Sequence, residues 1–292
     1  MGWGWDESIR AVNDKAGNKA GQIHNKPIRT KPFNKASFVI QITLLTLVAL
    51  TLYGFSSFDY KDVHFFEAAY NSLVTVKTMF LEPHFQHFTF AGALKQVIVT
   101  LGLAFLTTLF GAVIALFLGL LAARNLSSNT VSVMIKGMVA FIRGVPTVLW
   151  VLIFAVAAGL GSVAAVIGMT FHSVGYLIKA YSESFEELDK DVVEALKASG
   201  ANWWQIVFQA VIPSSITYLI SWTFMRFEIN FAVAVAMGAA AGAGGIGFDM
   251  FMASAFYYDV REIGVITYFI LAFAIALEIL ATRMKRKLRA AE

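Results

Sequence analysis

The chain has 292 residues, of which 58% are hydrophobic and 14% charged, with a mean hydropathy of +0.68. A soluble domain carries roughly a quarter charged residues, so this composition excludes a soluble globular fold with a polar shell and points to a polytopic membrane protein. The absence of cysteine excludes disulfides, thiolate metal sites and thiol nucleophiles, and the formal net charge of +4 is small enough that its placement matters more than its size.

The first 35 residues are polar and lack the apolar core of a cleavable signal peptide. Trp3 and Trp5 either anchor a surface segment at the lipid headgroups or belong to a disordered cytoplasmic tail. A spanning helix needs about 20 largely apolar residues, and six runs qualify: 37–56, 93–121, 134–158, 161–181, 206–240 and 262–282. Gly159 and Gly161 allow a tight turn between the third and fourth, and Pro213 interrupts the fifth early. In lipid the backbone must satisfy its own hydrogen bonds, so these runs are helices. Strict ten-residue alternation is absent, which argues against a barrel. The expectation is an all-α membrane protein of about six transmembrane helices. It divides into a cytoplasmic segment 1–36, a transmembrane domain 37–282 and a basic tail 283–292.

Lys and Arg set the orientation. Seven precede the first span, and five, from Arg283 to Arg289, follow the last. The positive-inside rule puts both ends in the cytoplasm. Loop 57–91, with only Lys61 and Lys77, and loop 241–261, with only Arg261, then face out.

The inner loop 182–205 is the most informative segment, with six carboxylates against two lysines. Asp191 and Glu194 read as a capping box that starts a helix at Val192, and Ser199-Gly200 as its stop. So short a helix is unstable alone. Asn202 and Gln205 read as a second capping box, after which Pro213 kinks the following helix. With Val193 and Leu196 on one side, the short helix suits a plug for a partner's groove. An amphipathic loop lying on the bilayer fits the residues as well.

Glu194-Ala195-Leu196, Gly200 and Pro213 resemble the EAA loop of ABC importer permeases, with Leu196, Ala210 and Ile212 as departures. The resemblance implies that this loop carries the coupling helix, docked in a cleft of the ATPase. A narrower resemblance, to permeases for phosphonate, phosphite or phosphate, covers about 93–282. It rests on Phe141-Ile-Arg143-Gly-Val-Pro146, the stretch from Thr170 to Glu186, Arg226-Phe-Glu228-Ile-Asn230, and Gly242-Ala-Gly244-Gly245-Ile-Gly247. Thr147 stands where that family usually has an acid, and Ala232 where it usually has an arginine. The resemblance implies a type I ABC importer permease architecture and a multi-pass bacterial inner-membrane protein. It implies two cytoplasmic ATPase subunits, a second permease subunit in a homo- or heterodimer, and an extracytoplasmic solute-binding protein. No nucleic acid partner is implied.

The Gly242–Gly247 run fits a dinucleotide fingerprint letter for letter, but an apolar span precedes it rather than a strand. No Walker lysine follows any glycine-rich loop, so ATP belongs to a partner subunit and this chain has no cofactor of its own. No nucleophile–base pair is visible, so it is not read as an enzyme. His84 and His87 sit in an outer loop and read as surface residues, not as a metal site. Polar groups within spans take a functional reading by default. Arg226 and Asn230 share a helix face, Glu228 lies on another and is expected to meet another helix or subunit, and His172 and Ser173 sit in the fourth span. These five are the candidates for a translocation path. Alternatively, Arg226 and Glu228 hold helices in register through buried partners. An ion-coupled secondary transporter acting alone is the competing function, but the docking loop has no use in it.

Overall fold

In a computed structural model, residues 35–58 and 64–289 are described. The readings placed on Trp3 and Trp5 fall outside them. Among the described residues the structure is helical, with no strand. The first helix, α1 (Lys35–Ser57), stands as a unit by itself and is long and apolar enough to span a bilayer.

The second unit, from Phe65 onward, holds α2 (Phe65–Leu81), α3 (Phe90–Ala122), α4 (Asn129–Gly144), α5 (Thr147–Ala158) and α6 (Ser162–Glu186). It continues with α7 (Lys190–Ala198), α8 (Trp203–Ile206), a π-helical turn (Val207–Val211), α9 (Ile212–Ala241), α10 (Ile246–Ala255) and α11 (Val260–Arg289). Among the described residues five helices are long and apolar enough to cross a membrane, or six if the bent pair α4–α5 counts as one. The outer loops predicted at 57–91 and 241–261 contain α2 and α10, and α11 carries the basic residues after 282 as a helical continuation.

The third predicted span is not straight. Its two halves meet at 89°. Pro146 cannot donate to the helix ladder and pushes Val145 into extended backbone (φ −95°, ψ 124°). Trp150 Nε1 donates to the Ile142 carbonyl at 3.0 Å, satisfying an acceptor freed by the break. The glycine turn is where the sequence places it: Gly159 (φ 80°) and Gly161 (φ 142°) separate α5 from α6. The kink expected at Pro213 takes another form. The helix runs through Trp203–Ala241 with a π-helical turn directly before the proline. Widening one turn relieves the clash between the Pro213 ring and the carbonyl four residues earlier.

Small residues set how closely the spans approach. Thr89 caps α3, accepting from the Gly92 N–H at 3.0 Å, and the buried face of α3 carries Ala104, Thr108, Gly111, Ala115 and Gly119. A methyl built on Gly111 lies 3.0 Å from Ser173 Cβ, and one on Gly119 lies 3.1 Å from Tyr181 Cβ. The α3–α6 pair therefore packs as membrane helices do, through small side chains rather than hydrophobic bulk. Helix α5 also crosses α6 closely, where a Cβ on Gly168 would meet the Val151 backbone at 2.5 Å. Gly168→Ala is expected to lower stability by about 1–3 kcal/mol, the usual cost of overpacking. Thermal unfolding in detergent checks this, and an unchanged midpoint contradicts so close a crossing.

Candidate functional site

The fold brings three of the five intramembrane candidates into one hydrogen-bonded chain between α9, α6 and α3. Arg226 is 3% exposed. Its Nε donates to Ser173 Oγ at 3.1 Å. Ser173 Oγ donates to Asn230 Oδ1 at 3.1 Å, Asn230 Nδ2 to Thr108 Oγ1 at 2.9 Å, and Thr108 Oγ1 to the Ala104 carbonyl at 2.7 Å. The guanidinium lies over the Tyr176 ring, 5.1 Å from its centroid. Arg143, at the end of α4, lies over the same ring at 5.5 Å. Among the described residues no carboxylate pairs with either arginine. His172 borders the group: it is half-buried, beside the Val145 backbone and within electrostatic range of both guanidiniums, and its Nδ1 has no hydrogen-bond partner. Glu228 is half-buried, on another face of α9, and makes no ion pair within the described chain. It is therefore not the buried partner of Arg226.

One stripe of α6 continues from this group: Ser173, Tyr176, Ala180 and Glu183, at the three- and four-residue spacing that shares a helix face. A cavity of about 100 Å³ lies beside Tyr176, lined by Arg143, Lys179 and Trp222 among others. It shares Ala180, Glu183 and Trp222 with a larger cavity of about 620 Å³, which Thr217, Ser221 and Lys285 also line. The pair forms a recess running from Arg143 toward the end of the molecule where α6 meets α7.

That end carries the acidic loop. Helix α7 starts two residues earlier than expected, at Lys190, because Asp189 follows α6 closely and its side chain caps the Asp191 N–H at 3.0 Å. The predicted box of Asp191 and Glu194 does not form. The stop is a full Schellman motif: Ala201 N–H donates to the Leu196 carbonyl and Gly200 N–H to that of Lys197, both at 3.0 Å, with Gly200 at φ 84°. Asn202 and Gln205 close the second capping box. Val193 is buried and Leu196 half-buried, both in the chain's own core, so the apolar side of α7 is taken internally. Glu194 and Ala195 are on the exposed side, and Pro213 starts α9 beyond the π-helical turn. The α3–α4 connection braces this region. Glu186 accepts from Lys136 Nζ at 2.7 Å and from the Arg124 N–H at 2.8 Å. Trp203 Nε1 donates to the Leu126 carbonyl at 2.9 Å.

At the opposite end, the structure joins residues that sequence reasoning kept apart. Glu262 is fully buried. Its Oε1 accepts the backbone N–H groups of Gln86, His87 and Phe88 at 3.0, 2.6 and 3.1 Å. Its Oε2 takes His87 Nδ1 at 2.8 Å, and the His87 ring stacks 3.9 Å above Tyr257. His84 Nε2 reaches Asp259 at 3.2 Å. His87, Asp259 and Glu262 offer ligand atoms within 4.8 Å of one another, but the Glu262 oxygens are already satisfied by protein donors. This is a structural clasp holding the loop before α3 to the start of α11. The Gly242–Gly247 run lies between α9 and α10, with Gly242, Gly244 and Gly245 at positive φ. It is a helix–helix corner and not a nucleotide loop.

Sequence reasoning missed Tyr176, Thr108 and Glu262. Tyr176 sits one turn from His172 and Ser173, a helical spacing that was available. Glu262 is an acid at the mouth of an apolar span, a signal in itself. Thr108 had no such mark, because a lone threonine in a span usually bonds its own helix.

The family of binding-protein-dependent transport system inner membrane components matches residues 115–290. The chain belongs to that family. It is 30% identical over 178 residues to the phosphate-import permease protein PhnE of Mycolicibacterium smegmatis, covering 60% of this chain and 33% of that one. It is 32% identical over 180 residues to the phosphite transport system permease protein PtxC of Stutzerimonas stutzeri, covering 61% and 65%. The chain thus spans less than two thirds of either relative's length. A solved structure of the MetNI methionine ABC transporter, in an inward-facing conformation, has the same fold, with a TM-score of 0.60 and 21% identity over 67% of this chain and 95% of that one. The fold is therefore that of an ABC importer permease, and the chain is a multi-pass membrane protein.

Removing the clasp carboxylate with Glu262→Ala is expected to cost about 3 kcal/mol or more, since a hydrogen bond to a charged group contributes roughly 1.5–3 kcal/mol. The loop 82–89 should become the first site of protease cleavage. Wild-type thermal stability with an uncut loop contradicts the clasp.

Proposed function

We propose that this chain is the membrane-spanning permease subunit of an ATP-driven importer, and that it passes a small oxyanion such as phosphonate, phosphite or phosphate. One observation carries the choice of cargo. A buried arginine donates to the neutral Ser173 hydroxyl and lies over a tyrosine ring, with no carboxylate to neutralise it. A guanidinium that only pinned two helices would be expected to have a buried acidic partner. One left without it supplies positive potential and free donors, which is what an oxyanion pathway needs. Arg226, Asn230, Ser173 and His172 border the path, with Glu228 directed elsewhere. The resemblance to phosphate- and phosphite-import permeases supports the same reading.

The other parts follow. The exposed face of α7, with Glu194 and Ala195, docks on an ATPase subunit in the cytoplasm. Leu196 and the Gly200 stop hold the helix at its set angle to the membrane. Pro213 and the π-helical turn before it pass the ATPase movement to α9. A second permease subunit completes the path, and two ATPases lie below. A solute-binding protein delivers the cargo from outside. Both chain termini lie on the cytoplasmic side.

Uptake of labelled phosphonate, phosphite and phosphate, measured in cells carrying the whole transporter, tests this. Arg226→Ala is expected to reduce uptake at least about tenfold, the effect of losing one charge-assisted contact, while the ATPase still co-purifies. Gly200→Val forces a β-branched residue into a left-handed conformation. With Glu194→Ala, it is expected to lose ATPase binding or to uncouple hydrolysis from uptake. Normal uptake by both coupling variants contradicts the docking role. Failure of Arg226→Ala to assemble assigns Arg226 to structure instead.

A further inference from the structure

We infer that the turn between α10 and α11, built around Tyr258, is a docking point for the extracytoplasmic solute-binding protein. The inference rests on the importer reading above, with both termini in the cytoplasm, and deepens it by naming a surface. Helix α11 separates this turn from the basic residues Arg283 to Arg289. At 1.5 Å per residue it is about 45 Å long, enough to cross a bilayer. A basic end inside therefore puts the turn outside. Tyr258 has φ 51° and is the only non-glycine residue with positive φ among those described. A bulky side chain strains the backbone there, where glycine or asparagine would sit at less cost. Its side chain is 79% exposed, and among the described residues no hydrogen bond, ion pair or ring contact holds it. The chain thus carries a strain that its own packing does not repay.

The residues on either side hold Tyr258 in that conformation. The Tyr257 N–H donates to the Met252 carbonyl at 3.0 Å, and its ring stacks on His87. The Asp259 N–H donates to the Ala253 carbonyl at 3.0 Å. The Asp259 carboxylate accepts from the N–H groups of Arg261 and Glu262 at 3.0 and 3.1 Å and takes His84 at 3.2 Å. Behind both lies the Glu262 clasp. A fixed turn presents the ring already in place, which lowers the ordering cost of binding. Phe256, two residues earlier, is 61% exposed. Three residues on, Arg261 pairs with Glu82 at 2.8 Å, both about half exposed, and supplies a rim of both signs. Aromatic anchors with a polar rim are the anatomy of a protein interface. A tyrosine that only touched lipid headgroups needs no strained backbone, because fluid headgroups accept the ring in any orientation. A pocket on a folded partner accepts one. The matching surface is an apolar pocket for the ring, with a polar group for its hydroxyl. Membership of a family whose transport depends on a binding protein supports that partner.

The test uses the whole transporter in lipid nanodiscs, with its own solute-binding protein titrated over it on a biosensor, without nucleotide and with the ATPase trapped by vanadate. Thermal unfolding of each variant is followed in parallel. The wild type should bind saturably in at least one state. Tyr258→Asn should weaken binding about thirtyfold, the scale of a hot-spot truncation. Its unfolding midpoint should stay the same or rise, because asparagine tolerates the left-handed turn. Tyr258→Phe should lose less than about tenfold, the value of one neutral hydrogen bond. Trp204→Leu, an exposed aromatic at the α7 end, should leave binding unchanged. Wild-type binding by Tyr258→Asn overturns the docking point and leaves the importer reading standing. A lowered midpoint in Tyr258→Asn assigns the ring to the fold, or to headgroups where the drop depends on the lipid, and overturns it too. Dissociation of the permease pair in Tyr258→Asn assigns the ring to a second copy, with the same consequence. No binding by the wild type in either state overturns both the docking point and the binding-protein reading beneath it.

Discussion

A guanidinium buried among apolar helices is the constraint on which the rest of this structure depends. An arginine at the centre of a membrane helix costs about 3 kcal/mol even on the mildest scale, and Arg226 has no carboxylate to offset that. The structure meets the cost with neutral groups drawn from three helices: Ser173 on α6, Asn230 one turn along α9, Thr108 on α3, and the Tyr176 face. Each needs its helix at close range. The small residues on the α3 surface, Gly111 above all, are what let Ser173 come near enough. The polar chain and the glycine packing are thus one device, since neither has a function without the other.

The broken span belongs to the same arrangement. A straight helix through 129–158 would carry Arg143 along its own axis. The 89° bend at Pro146 ends α4 early, and Arg143 occupies the last turn beside α6. The helix end at the bend is stabilised locally, by the Trp150 hydrogen bond and by Trp150 packing against Phe141 and Phe171. At one end of the bundle the Glu262 clasp fixes the start of α11. At the other, Glu186 joins the α3–α4 connection to α6, directly before α7. The polar recess lies between two rigid ends, and α7, packed through Val193, is positioned to move with α6 and α9.

Much of this was legible in the sequence, and the failures have physical causes. Span positions follow from apolar run length, which lipid enforces. The Gly200 stop and the Asn202–Gln205 box are local chemistry, so they could be read directly. Membership of the transport family was visible in the spacing of Glu194, Gly200 and Pro213. Four features were not legible. The bend at Pro146 looks in sequence like any apolar run, because hydropathy does not register the lost hydrogen bond. The capping of α7 depended on where α6 ends, and Asp189 reached the free N–H groups first. The Glu262 clasp joins residues 175 positions apart, from His87 to Glu262, a pairing that no local pattern encodes. The tyrosine between the arginines failed for a related reason: ring–guanidinium contact is set by how α4, α6 and α9 meet, not by spacing along one of them.

The central claim is that the seam between α6 and α9 is a water-filled route leading to an unpaired arginine. The natural absence of cysteine makes it directly measurable. Single cysteines at Tyr176, Ala180, Ser221 and Trp222, and on the exposed apolar side at Ile167 and Phe171, can be challenged in membranes with a charged, water-soluble thiol reagent. The account predicts fast labelling at the first four positions, slowed by added oxyanion, and none at the last two. Equal labelling on both sides, or protection of the whole seam in every nucleotide state, would contradict it.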